Sequence, residues 1–170
     1  MLIQRINNYC TKIFLNQFSN KLYCDNNMRY WNKLLKKYKG KRGFVIANGP
    51  SLKIDDLDKL RNEITVASNK IYLAFEKTNW RPNYYTVCDE VLASKINNEV
   101  QNYNLIVHTP INIGVNFPGC DVFYWKNLSA PKRLQYKNLK FSADYTQGVY
   151  GGYSITYQNI QLATHLGLNP

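Results

Sequence analysis

The stretch Gly43-Phe44-Val45-Ile46-Ala47-Asn48-Gly49-Pro50-Ser51-Leu52 decides the reading of the fold. Phe44, Val45 and Ile46 form a short continuous apolar run, the pattern of a strand buried in a parallel sheet, and Asn48-Gly49-Pro50-Ser51 end it with turn chemistry. Upstream, Met28, Trp31, Leu34, Leu35 and Tyr38 recur at helical spacing, and Gly40 supplies a stop. Downstream, the strand pattern returns at residues 64–67, 84–88, 105–108 and 122–125, and helical stretches follow the first two. Strands separated by helices predict βαβ units, hence an α/β fold: a Rossmann-like open, mostly parallel sheet with flanking helices, binding ligands beyond the carboxyl ends of its strands. Those ends read Asn48-Gly49-Pro50-Ser51, Ser68-Asn69-Lys70, Asp89-Glu90 and Thr109-Pro110. Residues 145–154 then precede an amphipathic helix with Ile155, Ile160, Leu162, Ala163 and Leu166, closed by Gly167. Such a helix is expected to hand over to another buried strand, so residues 41–170 read as the N-terminal part of a larger domain, incomplete at its C-terminal end.

Composition narrows the class. At 170 residues, with 45% hydrophobic, 19% charged and 14% aromatic residues, the chain fits one domain with a real core and is not disordered, collagen-like or coiled coil as a whole. No apolar run approaches the roughly 18 residues of a membrane-spanning helix. Arg5 and Lys12 interrupt the opening residues where a secretory signal needs a continuous apolar segment, so a cytoplasmic protein is expected. Cys10, Cys24, Cys88 and Cys120 form no CxxC pair and have no histidine at metal-ligand spacing; they read as thiols in a reducing compartment, with no metal site. His108 and His165 are equally isolated. His165 falls inside the last helix, where a surface or helix-end role is expected, and His108 ends a strand, where structural and pocket-lining roles are both open.

The net charge of +11 is uneven. Residues 1–43 hold ten Lys/Arg against the single acid Asp25, whereas the rest is nearly neutral at +2. Residues 1–40 therefore read as a basic helical N-terminal extension to a domain at 41–170. Leu2, Ile6, Tyr9 and Ile13 make one face of an amphipathic helix whose basic far face could rest on anionic lipid, giving peripheral contact through residues 1–43 at the inner face of the membrane. The alternative is a solvated helix end running through Lys33 to Arg42 with no partner. Nucleic acid is not expected, because the aromatics do not interleave with the basic run in a stacking pattern.

A strand ending in Asn48-Gly49-Pro50-Ser51 is a sensible phosphate or nucleotide cradle: Gly49 allows close backbone approach, and Ser51 can cap a helix starting near it with Asp55, Asp56 and Asp58 early. The pattern is short, and any tight strand-to-helix turn can use the same residues. It is neither a P-loop nor a dinucleotide fingerprint.

The combination of motifs is more specific. Residues 45–52, then Ser68-Asn69-Lys70-Ile71-Tyr72, Arg81-Pro82-Asn83-Tyr84-Tyr85 leading to Asp89, and Thr146-Gln147-Gly148-Val149, together resemble the 6-hydroxymethylpterin diphosphokinase MptE-like domain family over about residues 41–170. That family is also found among surface-polysaccharide gene products and is distantly similar to bacterial sialyltransferases that use CMP-sialic acid. The resemblance implies a nucleotide-binding transferase. It takes one of two forms: a glycosyltransferase of capsular or other surface-glycan synthesis using a nucleotide-activated (CMP-) sugar and a glycan acceptor, or a diphosphokinase using ATP and magnesium. A truncated, inactive nucleotide-binding domain is a third possibility.

The likeness to the sialyltransferases implies that Asn48 and Gly49, with Pro50 and Ser51, contact the nucleotide phosphates and ribose. By the same likeness Asn69 contacts the nucleotide or its sugar, Asp89 stands at the third strand end, and Thr146, Gln147 and Gly148 line the donor pocket. The diphosphokinase form would need carboxylates around the metal, for which Asp89 and Glu90 are the available pair. Two departures from the sialyltransferases stand out: Ala47 stands where they usually have glycine, and Gln147 replaces the serine of their Thr-Ser-Gly turn. The catalytic base of the sialyltransferases, a later histidine, is expected beyond Pro170.

Overall fold

Each apolar run identified above becomes a strand of one sheet in the computed structural model, which describes residues 26–128 and 140–169. The strands are β1 (Gly43–Ile46), β2 (Ile64–Ser68), β3 (Tyr84–Thr86), β4 (Ile106–Pro110) and β5 (Asp121–Trp125). They lie in the order β1-β2-β3-β4-β5, and every neighbouring pair is parallel, with Ser68 opposite Thr86, Thr86 opposite His108 and His108 opposite Phe123. Among the described residues four helices flank the sheet: α1 (Met28–Leu34), α2 (Ile54–Lys59), α3 (Glu90–Val100) and α4 (Ile155–His165). Short 3-10 helices occupy Asn69–Ala74 and Gln101–Tyr103.

Parallel strands in sequential order require right-handed crossovers, and these put all the connections on one face. That face holds the first core, in which Leu57 of α2, Ile71 and Phe75 of the turn after β2, and Ala93, Ile96 and Val100 of α3 pack on Ala67, Tyr85 and Val107. The opposite face would be bare without the two ends of the described chain. There Trp31 and Leu34 of α1 and Leu162 and Leu166 of α4 close over Val66, Tyr84 and Trp125, with Tyr145 and Val149 beside them. Trp31 is fully buried, its Nε1–H donates to Tyr124 O (2.7 Å), and truncating it would cost about 3–5 kcal/mol. The sequence reading placed α1 in the extension, yet its packing is continuous with the domain. Residues 1–25, which include the amphipathic face with Leu2, Ile6, Tyr9 and Ile13, lie outside the described residues.

The helix at the first strand end starts later than expected. Leu52 N–H donates to Gly49 O (3.1 Å), which closes a turn over Pro50 and Ser51; Lys53 is extended (φ −103°, ψ 145°) and α2 begins at Ile54. Ser51 is thus not the cap, and Lys53 occupies the N-cap position without a side-chain bond. After β2 the chain turns through a 3-10 helix rather than an α-helix, because Asn69 takes a left-handed conformation (φ 54°). After Gly167 (φ 77°) the chain passes the start of β1: Asn169 N–H donates to Lys41 O (2.9 Å), and Arg42 and Asn169 form a parallel bridge.

The histidines are structural. His165 ends α4 as expected, but it is fully buried rather than at the surface. Its Nδ1 accepts from Tyr145 N–H (3.2 Å), so its Nε2–H donates to Trp31 O (2.9 Å), and burial lowers its pKa. His108 is also fully buried, among Tyr30, Trp31, Tyr84 and Phe123.

Candidate functional site

Because every strand is parallel, all five carboxyl ends share one rim, and the loops that follow them carry the candidate residues. Asn48 leaves β1 exposed and reaches back with its amide: Nδ2–H donates to Ser68 O (2.8 Å), which ties the β1 loop to the end of β2. Gly49 is exposed, and a Cβ built on it would meet nothing closer than Ser51 Oγ at 3.8 Å. The space beside its backbone is therefore open. Pro50 and Ser51 form the exposed crest of the same turn.

Asn48 and Gly49 form one end of an open cleft of about 230 Å³ between the β1 loop and the 3-10 helix after β2. Its apolar wall includes Ile54, Leu73 and Ala74, and Lys70 and Lys77 supply its charge. Leu73 is 60% exposed, unusual for a leucine on a helix packed against a core. A cleft of this size falls below the roughly 300–1,000 Å³ of a pocket that encloses a whole ligand. Lys77, Leu73 and Ile54 were not singled out by the sequence reading. No short motif marks them; they meet only because the turn after β2 folds back over the start of α2.

Asn69 sits beside this cleft with its backbone in the left-handed region; its carbonyl accepts from Tyr85 O–H, and its Oδ1 is buried without a partner. Asp89, at the end of β3, is the N-cap of α3 and accepts Leu92 N–H (2.7 Å), with Glu90 exposed in the first turn. Among the described residues no three His, Cys, Asp or Glu side chains cluster as metal ligands would. Cys88, also at this rim, has its thiol pushed up to about 11, chiefly by burial and then by Asp89.

Thr146, Gln147 and Gly148 belong to a different part of the rim. Thr146 donates through both its N–H and its hydroxyl to Asp144 Oδ1 (2.9 and 2.7 Å), Gln147 is exposed, and Gly148 (φ 112°) lies against the segment leaving β5. A Cβ on Gly148 would come within 2.8 Å of Lys126 O and 2.7 Å of Leu128 Cγ. That glycine is required by chain packing. β1 and β5 are opposite edges of the sheet, four strand spacings or about 19 Å apart, so the structure brings Asn48, Gly49 and Lys70 together but not these three with them.

No helix among the described residues is long and apolar enough to cross a membrane. No curated protein and no solved structure matches the chain. A family model described as 6-hydroxymethylpterin diphosphokinase MptE-like matches residues 16–170, a span that takes in the parallel sheet, the Asn48-Gly49 loop and also α1. By that match over most of its length, the chain belongs to the 6-hydroxymethylpterin diphosphokinase MptE-like family.

Proposed function

We propose that this protein is a nucleotide-binding transferase-like domain that holds the phosphates of an activated nucleotide at the Asn48-Gly49 loop. The observation that carries the reading is the open space at Gly49: a backbone segment at a parallel strand end, unobstructed by any side chain, beside a cleft whose charged groups are lysines. Backbone N–H groups in such a turn favour anionic oxygens, and stabilising a leaving phosphate is what transfer from a nucleotide requires.

Two reactions use that seat. In the first, a sugar passes from a nucleotide-sugar such as a CMP-sugar to a glycan acceptor, and the nucleotide phosphate leaves. The carboxylate-free lining of the cleft favours this reading. In the second, the hydroxyl oxygen of a hydroxymethyl group bonds to the β-phosphorus of ATP held with magnesium, taking the diphosphate as its proton is lost and AMP leaves. The family description favours it, and Asp89 with Glu90 would be its metal ligands.

The test is a thermal-shift and calorimetric panel of CMP, UDP, ATP and GTP, each with and without magnesium, on the full chain and on Gly49→Ala. Alanine fits at Gly49 without a clash, so the variant is expected to fold with an unchanged melting temperature and to lose at least tenfold in nucleotide affinity. A saturating ligand at a hundred times its Kd should stabilise the native chain by about 2.7 kcal/mol. Nucleotide binding that is equal in the two proteins would remove Gly49 from the site, and preference for CMP or ATP would separate the two reactions.

A further inference from the structure

The charged groups in the lining of the cleft are two lysines, Lys70 and Lys77. Three nearby acids are already engaged: Asp56 with Lys59 (3.0 Å), Asp58 with Arg61 (2.7 Å) and the Thr78 hydroxyl (2.6 Å), and Glu76 with the Tyr103 hydroxyl (2.7 Å). Among the described residues neither the Lys70 nor the Lys77 ammonium group has an ion-pair or hydrogen-bond partner. Both line the same cleft, with Leu73 and Ala74 between them in sequence, and its lining contains no carboxylate.

We infer that Lys70 and Lys77 are a phosphate-binding pair, so that the cleft takes the free anionic phosphate of a nucleotide, with no metal ion needed to hold it. The inference rests on the nucleotide reading above and names the form of the ligand. Two like charges in one cleft repel, and a phosphate between them converts that repulsion into charge-assisted hydrogen bonds. A magnesium ion prefers oxygen donors, carboxylate above all, and this wall offers it ammonium groups instead. The exposed Leu73 and its neighbours Ile54 and Ala74 give the rest of the ligand an apolar surface, which suits a phosphate attached to a planar base better than inorganic phosphate alone.

The experiment titrates CMP, ADP, pyrophosphate and the phosphate-free nucleosides cytidine and adenosine into the full chain, in EDTA and in magnesium. The double variants Lys70→Ala/Lys77→Ala and Lys70→Arg/Lys77→Arg are titrated alongside. Both lysines are exposed, so the fold is expected to survive, with circular dichroism as the control. The expected result has three parts. Nucleotide binding by the native chain persists in EDTA; the alanine pair weakens it at least tenfold and flattens its salt dependence; and the arginine pair restores most of it while nucleoside binding is unmoved.

Nucleotide binding that is abolished by EDTA, or that is within twofold of native in the alanine pair, overturns the inference. If that binding is still lost in Gly49→Ala, the nucleotide reading survives. Binding of pyrophosphate through the lysines with no nucleotide bound supports the pair and overturns the nucleotide reading. Binding of none of the probes overturns both.

Discussion

The aromatic pocket around His108 makes the stability of this fold depend on pH in a way that can be worked out in advance. The Tyr85 carbonyl can only accept, so the His108 ring carries its hydrogen on Nδ1 and donates to Tyr85 O (3.1 Å); Nε2 then accepts the Tyr30 hydroxyl (2.7 Å). Both ring nitrogens are satisfied in the neutral state, and a proton added at Nε2 would face a hydroxyl hydrogen inside a shell of rings. Burial lowers the pKa from 6.5 to about 4, against a smaller upward pull from the bond to Tyr85. The unfolded chain therefore binds the proton more readily than the folded one. The stabilisation is complete above pH 6.5 and is lost as the pH falls from 6.5 towards 4. The full difference is about 3 kcal/mol, of which about 2 kcal/mol disappears between pH 7 and pH 5.

His165, also buried with a lowered pKa, acts in the same direction, so the wild-type curve alone cannot isolate His108. The assay is urea unfolding of the native chain and of His108→Gln at several pH values between 4.5 and 7.5. Glutamine keeps a donor and an acceptor but does not titrate. The gap in unfolding free energy between the two proteins should shrink by about 2 kcal/mol from pH 7 to pH 5, with the His165 contribution common to both. Nitrogen-15 spectra should show the His108 ring neutral, with its hydrogen on Nδ1, down to pH 5. A constant gap, or a charged ring at pH 5.5, would refute the reasoning.

Other substitutions probe the rest of the architecture. Gly148→Ala should lose about 2–4 kcal/mol in chemical denaturation, because its φ of 112° and the nearby Leu128 and Lys126 O leave no room for a methyl group. Thr86→Val removes the hydroxyl that donates to Asn159 Oδ1 (2.6 Å), leaving a fully buried amide unpaired at a cost of about 1–3 kcal/mol. With its thiol pushed up to about 11, Cys88 should alkylate with iodoacetamide at pH 8 about a hundredfold more slowly than a free thiol, as peptide mass mapping would show. Deleting residues 1–25 while keeping α1 should abolish sedimentation with anionic liposomes at low salt; equal sedimentation would leave the lipid reading of that segment without support.

The sheet was legible because parallel strands are buried on both faces and announce themselves as apolar runs; all five expected runs became strands, with ends shifted by a residue or two. The second layer was harder to read. Nothing local told that Trp31 and Leu34, inside a stretch rich in lysine, would pack on the face left open by the crossovers, or that His165 would be drawn beneath them, since both facts depend on chain order across the sheet. At the cleft, Asn48 and Gly49 were visible as turn chemistry at a strand end. Lys77 was not, because it arrives from a 3-10 turn set by the left-handed backbone of Asn69 rather than from a motif. Gly148 carried a motif likeness, yet its role in the packing against Leu128 shows only once the segment beyond β5 is placed.

The small bridge between Arg42 and Asn169 has a consequence for where a ligand can enter. Successive residues of a strand direct their hydrogen-bonding groups to alternate sides, so β1 pairs with β2 on one side while Lys41 meets Asn169 on the other. The path from β1 to β2 crosses the α2 face, whereas the path that returns to the outer side of β1 runs down α4 on the opposite face. The winding thus reverses at β1, and the connections on either side of it diverge above and below the sheet. Such a topological switch point opens a crevice at the carboxyl end of the strand in α/β sheets, and Asn48 and Gly49 are the residues that stand there.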